Sequence, residues 1–285
     1  MRIPTMRTPW KRVAVFVVVL ALVASAFSAA AFAATPSCGN TETVTVRILG
    51  YDAGSGVTIL KDYRVQLNGS TGYTALAALE TACATNKISY DVEGSGAEAY
   101  VDNIAGEEAG YFTTPTQEYY DGWLFRVWPQ ADQPADPTAD ALPSVSAGAY
   151  TLGSGDQVTW YYDIPASTWY TVMANYGQLR PFYHSGQTVD VSVYAQKYVD
   201  TINWQLTPFE PLDGATVTLT RVSDGKVLAT ATSDANGNAE LQAPALRSPT
   251  RCRLYVANQE FTTAPLAGAL ENVQSWSKEV MIGGR

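Results

Sequence analysis

The chain has few of the side chains that metal and redox sites use. Its 285 residues include one histidine and three cysteines, and only 16% of the residues are charged. A metal cage needs several His or Cys ligands, and a cysteine redox centre needs a reactive thiol in a suitable environment. We therefore expect no metal site, no cofactor and no catalytic residues.

Positive charge is scarce as well. Lys and Arg number 18 against 27 Asp and Glu, which gives a net charge of −9. Four of the basic residues lie within residues 1–12, so the rest of the chain carries 14 basic and 27 acidic residues, a net charge of −13. Because such a surface repels phosphate backbones, we expect no nucleic-acid partner.

The longest hydrophobic run lies near the N-terminus. Residues 1–12 are basic, residues 13–23 are uniformly apolar, and a small-residue stretch then ends in a small-x-small motif at residues 31–33. This order is typical of a signal peptide, which we place at residues 1–33. The protein is then secreted or held at the cell surface. The alternative is an uncleaved membrane anchor over residues 13–34, which would be its only contact with a membrane.

Export permits disulfide bonds, and three cysteines leave one without a partner in the chain. Cys38 lies just before the first predicted strand, and Cys83 lies at the end of the first predicted helix. We expect a disulfide between these two residues. Cys252 alternates with Leu254 and Val256 in a predicted strand, which indicates a buried, inert thiol.

Residues 42–163 combine two hydrophobic periodicities. Leu76, Leu79 and Cys83 recur at helical spacing and predict a helix over about residues 74–85, with Thr74 as its N-cap. Strands are predicted from alternating or clustered apolar residues at 44–48, 63–67, 88–92, 100–104, 122–128 and 156–162. This order predicts an α+β domain in which one helix packs on a mostly antiparallel sheet.

Four sequence motifs of this domain resemble a known family. They are Val44-Thr45-Val46-Arg47, Thr74-Ala75-Leu76-x-x-Leu79, Gly122-Trp123 and Leu152-x-x-Gly155-Asp156-x-Val158-x-Trp160-x-Tyr162. Together they resemble the transcobalamin-like C-terminal domain, a family also found as a domain of unknown function in exported bacterial proteins. The resemblance implies a β-grasp-like fold for residues 42–163. It also makes cobalamin a candidate ligand, because the cobalamin carriers use this domain as a lid over the corrin ring.

The remainder of the chain divides into a bridge and a second domain. Residues 164–185 are too rich in aromatic residues for a solvated linker, and we expect them to pack against the domains. Residues 186–285 show regularly spaced strand patterns, with turn signals at Asp224-Gly225 and 234–238. Two motifs, Pro211-Leu212-x-Gly214-Ala215-x-Val217 and Thr232-x-Asp234-x-Asn236-Gly237-x-Ala239-x-Leu241, resemble prealbumin-like and carboxypeptidase-regulatory-like modules. That resemblance implies an all-β, Ig-like sandwich.

Aromatic residues supply the candidate binding site. In the predicted strand 122–128, Trp123 and Trp128 fall on opposite faces. If one face belongs to the core, the other presents one of the two indoles to solvent, to the long loop over residues 129–154 or to a ligand. We therefore place a ligand-binding patch at Tyr119, Tyr120, Trp123 and Trp128, because aromatic faces suit flat rings, sugars and partner proteins.

These expectations define a function class. The chain is predicted to be an exported, non-catalytic bacterial binding protein, secreted or at the surface, with the first domain as binding module and the second as spacer. Its partner would be a small molecule, a glycan or a surface protein. One alternative is a scavenger of cobamides or other small molecules. An extracellular hydrolase is a second alternative, but no G-x-S-x-G motif accompanies His184, which we expect to serve packing.

Overall fold

The computed structural model describes residues 41–51, 58–113, 118–128, 143, 145–164, 167–200, 205–262, 266 and 269–283, with the backbone alone at 111–113, 118–120 and 200. These residues contain one α-helix, α1 (Ala75–Asn86), and 21 β-strands. The strands of the first half are β1 (Glu42–Leu49), β2 (Thr58–Leu67), β3 (Tyr90–Glu93), β4 (Tyr100–Ile104), β5 (Glu107–Glu108), β6 (Gly110–Thr113), β7 (Glu118–Trp128) and β8 (Gln157–Asp163). The later strands are β9 (Trp169–Met173), β10 (Phe182–Tyr183), β11 (Thr188–Gln196), β12 (Tyr198–Asp200), β13 (Gln205–Leu206), β14 (Glu210–Pro211), β15 (Thr216–Arg221), β16 (Val227–Thr232), β17 (Asn238–Gln242), β18 (Thr250–Val256), β19 (Gln259–Glu260), β20 (Leu270–Val273) and β21 (Lys278–Ile282).

The first half of the chain forms a five-stranded sheet in the order β2-β1-β8-β7-β6. Only β1 and β8 run parallel, and the other neighbouring strands are antiparallel. The helix α1 packs on one face of this sheet, over a core that includes Val46, Leu79 and Trp160. The predicted arrangement of one helix on a mostly antiparallel sheet is confirmed.

Local sequence determines where α1 begins and ends. Thr74 precedes the helix in an extended conformation, and its Oγ1 accepts a hydrogen bond from the backbone N–H of Ala77 at 3.1 Å. Lys87 ends the helix in the left-handed conformation, with φ 58°, and its N–H donates to the carbonyl of Cys83. The helix predicted over residues 74–85 is therefore confirmed, displaced by one residue at each end.

Two further sheets enclose the core of the second half. One has the order β10-β21-β18-β15-β16, and the other has the order β14-β11-β9-β20-β19 with β17 paired to β11. Val189, Val191 and Val193 alternate along β11, and all three are buried in the core to which both sheets contribute. Valine recurs at every second position because these positions all point to the same, buried face of β11. Small sheets β3-β4-β5 and β12-β13 lie outside these larger ones.

The first sheet is covered on both faces. Opposite α1, Tyr161 of β8 packs with Tyr170 and Val172 of β9 and with Leu270 of β20. The strand β9 lies within residues 164–185, so the aromatic bridge supplies strands to the sheets of the second half. Within the bridge, Tyr170, Tyr176 and Tyr183 are buried, whereas Phe182 is 36% exposed.

A chain of charged side chains also joins the two halves. The pairing of β1 with β2 shifts register beside Arg47, and Asp62 there adopts a left-handed φ of 42°. The Arg47 Nη2 atom lies 2.6 Å from Asp62 Oδ1. The Arg253 side chain of β18 contacts both Asp62 and Glu279 of β21. Its Nη1 atom lies 3.8 Å from Asp62 Oδ2, and its Nε atom lies 3.7 Å from Glu279 Oε1. Because Arg47 is 3% exposed, Asp62 supplies most of the compensation for its buried charge.

The described residues thus form a mostly β structure with several sheets and one α-helix, and all of them belong to a single compact unit. The boundaries predicted near residues 163 and 186 stay predictions. Within the described ranges, no helix combines the length and the apolar character that crossing a bilayer requires.

Candidate functional site

Trp123 and Trp128 are both buried, at 3% and 1% exposure. The expectation that one of them faces solvent or a ligand is therefore wrong. It assumed that one face of β7 is open, whereas Trp123 packs in the core of the first half, where β4 lies against β7, and Trp128 packs in the core of the second half. Neither indole offers a free aromatic face to a ligand.

The contacts of the two indoles explain their burial. Trp123 donates from Nε1 to the carbonyl of Glu107 at 2.9 Å, and its ring meets Tyr162 edge to face at 5.4 Å between centroids. Trp128 stacks on Trp276 at 5.9 Å and meets the ring of Tyr176 at 5.1 Å. Trp128 belongs to the first half by sequence but packs in the core of the second.

Tyr119 and Tyr120 lie on β7, paired with Phe112 and Tyr111 of β6. Their side chains lie outside the described residues, so their part in a binding patch stays a prediction.

The two cysteines that the structure describes are buried, and they are not bonded to each other. Burial raises the pKa of Cys83 to about 12, with a smaller contribution from the Glu80 carboxylate. Burial also raises the pKa of Cys252, which shares its buried face with Leu254 and Val256 as the alternation predicts. Cys38 lies outside the described residues, so the Cys38–Cys83 disulfide stays a prediction.

A groove beside α1 is the candidate binding site in the first half. It has a volume of about 440 Å³ and lies between the N-terminal half of the helix, the turn that joins β3 to β4, and Gly148. We call it the α1 groove, and its lining residues are Thr71, Thr74, Leu76, Ala77, Glu80, Val92, Gly94, Ser95, Gly96, Ala99 and Gly148.

Backbone contacts fix the walls of the α1 groove. The N–H groups of Ala75 and Leu76 donate to the carbonyls of Tyr150 and Ala147, which ties the loop before β8 to the start of the helix. A Cβ atom added to Gly148 would lie 1.8 Å from the carbonyl oxygen of Gly96, so this close approach requires glycine.

The α1 groove has an apolar floor and a polar rim. Leu76 and Ala77 are nearly buried at the floor, whereas Ser95 is exposed at the rim. Glu80 is the one charged side chain among its lining residues. The first backbone N–H groups of α1 already donate within the protein, so the helix N-terminus offers no anion site here. These features suit a neutral or cationic small molecule.

Neither a protein-family model nor a curated protein matches the chain.

The resemblance to the transcobalamin-like C-terminal domain thus stays a prediction, as does the resemblance of the second half to prealbumin-like modules. The candidate site is defined by the geometry of the chain alone.

A buried polar cluster lies between the first sheet and the second half. We call it the Arg126 cluster, and its members, each less than a tenth exposed, are Arg126, Tyr161, Asp163, Tyr170, Gln196 and Tyr198. The guanidinium carbon of Arg126 lies 3.2 Å from the centroid of the Tyr170 ring. Within the described structure, Arg126 Nε and Gln196 Nε2 have no hydrogen-bond partner. Such a cluster makes the interface between the halves more polar than an ordinary core.

Burial changes the ionisation of the acid in this cluster. It raises the pKa of Asp163 to about 7, against the lowering effect of Arg126 and with a smaller increase from Asp121. The pKa of Asp121 is itself raised by burial. Arg126 thus offsets part of the burial effect on Asp163, and the protonation of Asp163 is coupled to the packing of the halves.

His184 is exposed and meets Phe182 edge to face at 4.9 Å between ring centroids. In the part of the chain that the structure describes, no cluster of three or more His, Cys, Asp or Glu side chains is arranged to hold a metal ion.

The sequence patterns did not point to the α1 groove or to the Arg126 cluster. The groove is formed by three segments that are far apart in the chain, around residues 71–80, 92–99 and 148. The cluster had one visible signal, because Arg126 is the only charged residue in the apolar stretch Trp123-Leu-Phe-Arg-Val-Trp128. A charged residue inside such a strand indicates a buried polar contact on the face it occupies.

Proposed function

We propose that the chain is an exported, non-catalytic binding protein and that the α1 groove is its binding site. The observation that carries this proposal is the groove itself, with its apolar floor, hydroxyl rim and single carboxylate. The groove has a volume of about 440 Å³ and is open to solvent, so a ligand would stay partly exposed. The N-terminal sequence of the chain supports export.

The ligand class follows from the lining. Ser95 and Thr71 offer hydroxyl groups, and Glu80 favours a positive or neutral group over a negative one. We therefore propose a small molecule, or one residue of a larger glycan or peptide, that is neutral or cationic.

In this proposal the second half of the chain is a rigid base. The Arg47–Asp62–Arg253 contacts, the shared Trp128 packing and the Arg126 cluster all support a fixed relation between the halves. We propose a β-grasp-like fold for the first half and an Ig-like sandwich for the second, supported by the helix-on-sheet core and by the two sheets around Val191.

A ligand screen on the full chain tests the proposal. Melting temperature and absorbance are followed with neutral and cationic sugars, short peptides, haem and cobamides. We expect a neutral or cationic compound to raise the melting temperature. Cobamides are included because of the family resemblance, and an absorbance change with cobalamin alone would favour the scavenger function.

A pair of variants assigns the ligand to the groove. Ser95→Trp places a large ring in the α1 groove at an exposed position, and Ser223→Trp makes the same change at an exposed turn before β16. We expect binding to be lost in the first variant and retained in the second. Binding that survives Ser95→Trp would contradict the assignment, and a screen without any response would contradict the function.

A further inference from the structure

The second half of the chain carries another groove, which we call the Arg180 groove. It has a volume of about 410 Å³ and lies beside the 3₁₀ turn Tyr176–Gln178, β10 and the start of β11. Its floor is formed by the nearly buried side chains of Leu179 and Tyr183. Its walls are formed by six polar residues, Asn175, Gln178, Arg180, Gln187, Thr188 and Asp190.

Hydrogen bonds hold the walls in place. The Asn175 side chain donates from Nδ2 to the carbonyl of Asp190 at 2.9 Å and accepts from the N–H of Ser192 at 3.0 Å. The Tyr183 hydroxyl accepts from the N–H of Arg180 at 3.0 Å. The 3₁₀ turn, β10 and β11 are thus tied together, and a ligand would meet a preformed surface.

Several polar groups of the Arg180 groove are left available. The side chains of Gln178, Arg180 and Asp190 are exposed, and none of them makes a hydrogen bond or ion pair with another described residue. Arg180 supplies several fixed N–H donors, Asp190 supplies acceptors, and Gln178 supplies both. Their opposite charges cancel, so the groove does not select for an anion or a cation.

Neutral carbohydrates match this arrangement. A sugar ring carries hydroxyl groups that each donate and accept hydrogen bonds. Planar amide, carboxylate and guanidinium groups can engage neighbouring hydroxyl groups in pairs. Leu179 and Tyr183 are each 5% exposed, so the hydrogen-bonding groups of the walls carry this match.

We propose that the Arg180 groove is a second binding site and that it takes a neutral carbohydrate. This site is distinct from the α1 groove and does not depend on the function proposed for it, because the two grooves share no lining residue.

Titration of the full chain with maltotriose, cellotriose and chitotriose tests the site, by calorimetry and by saturation-transfer NMR. We expect at least one trisaccharide to bind. Arg180→Ala and Asp190→Ala should each weaken its binding by about tenfold, the loss expected for one charge-assisted hydrogen bond. Both positions are exposed, so the melting temperature should stay unchanged.

Matched controls separate this site from the other groove. Arg64→Ala removes an exposed arginine on β2 and should leave the affinity unchanged. Ser95→Trp, which fills the α1 groove, should also leave trisaccharide binding intact. The proposal is overturned if no trisaccharide binds, if both groove variants keep full affinity, or if Ser95→Trp alone abolishes binding. Binding of acidic sugars that needs Arg180 but not Asp190 would overturn the neutral ligand class.

Discussion

At the scale of single residues, burial decides the chemistry of the ionisable groups in this chain. Asp163 is 4% exposed and belongs to the Arg126 cluster. Cys83 is fully buried on α1. Both side chains therefore favour their neutral forms more strongly than they would in water. The burial of Asp163 predicts how stability depends on pH, and the burial of Cys83 predicts how the thiol reacts in the native and unfolded protein.

Asp163 makes stability depend on pH. Its pKa is about 7 in the folded protein and about 3.9 in an unfolded chain. The folded state therefore binds this proton more tightly. The contribution of Asp163 to the free energy of unfolding is full below about pH 4 and is lost as the pH rises through the folded pKa. Asp121 acts in the same direction, because burial raises its pKa too.

We expect Asp163→Asn to remove most of this decrease in stability between about pH 4 and pH 7. Urea denaturation of parent and variant across that range measures it. Asp213→Asn, at an exposed turn position, is the matched control and should keep the pH dependence of the parent. Parallel pH profiles for parent and Asp163→Asn would show that this carboxyl is not responsible.

The cysteines give a labelling prediction. Cys83 and Cys252 are buried, and burial raises the pKa of both thiols, so neither should react with iodoacetamide in the native protein. In denaturant without reductant, a Cys38–Cys83 disulfide would leave only Cys252 to be alkylated. Intact-mass analysis counts the labels. Alkylation of Cys83 before reduction would contradict the predicted disulfide, and rapid labelling of the native protein would contradict the burial.

At the scale of elements, short-range contacts determine how α1 and the β1–β2 hairpin are built. The Thr74 hydroxyl satisfies an N–H group at the start of α1 that has no partner within the helix. In the hairpin, a register shift beside Arg47 brings Asp62 to the buried guanidinium. The first feature is a helix cap, in which a hydroxyl accepts a hydrogen bond from a backbone N–H group. The second is a β-bulge, which turns the Asp62 carboxylate towards Arg47.

Loss of the helix cap should be measurable. We expect Thr74→Ala to lower the free energy of unfolding by about 1 kcal/mol, because the Ala77 N–H loses its acceptor. Thr85→Ala makes the same change at an exposed position in the last turn of α1 and should be nearly neutral. Chemical denaturation compares the two variants. Equal losses would mean that the effect of Thr74 does not come from capping.

The hairpin bulge gives a second prediction at this scale. Asp62→Asn keeps the shape of the side chain but removes its charge, so Arg47 stays buried without an ionic partner. We expect a loss of about 2 kcal/mol in the free energy of unfolding, between the values for an exposed and a fully buried pair. Double-mutant cycles with Arg47→Met measure the coupling. A coupling energy near zero would contradict a stabilising role for this pair.

At the scale of the whole molecule, the two halves share cores and charges. Trp128 of the first half stacks on Trp276 in the core of the second half. Tyr161 packs with Tyr170 and Leu270, and Arg253 reaches Asp62. Elements that share buried surface in this way unfold together.

We therefore expect a single cooperative transition. Tryptophan fluorescence and far-ultraviolet circular dichroism should give coincident denaturation curves. Trp128→Ala should lower the free energy of unfolding by about 3–5 kcal/mol, the usual loss for a buried Trp. Val227→Ala, at an exposed position on β16, should have little effect. Two separate transitions would contradict the shared core.

Much of the secondary structure could be predicted from the sequence. Helical spacing of Leu76, Leu79 and Cys83, with Thr74 as cap, located α1 to within one residue. Alternation located β11 and β18, because a strand with one buried face needs an apolar residue at every second position. It also located β1, although both faces of that strand are buried near its end. The buried thiol of Cys252 followed from the same rule.

The candidate sites could not be predicted in the same way. Periodicity shows that Trp123 and Trp128 point to opposite faces of β7, but it does not show what covers each face. The α1 groove depends on a loop at Gly148 that meets Gly96 across the structure, and the Arg180 groove depends on the hydrogen bonds of Asn175.

The sequence by itself determined the scarcity of histidine and cysteine and the acidic charge, which follow from composition. It also determined the positions of the helix and of the strands, because these depend on contacts between near neighbours. Only the tertiary structure decided which aromatic residues are available and where the grooves lie. The physical reason is that burial depends on packing between segments distant in the chain. A strand pattern alone does not specify its partner on either face.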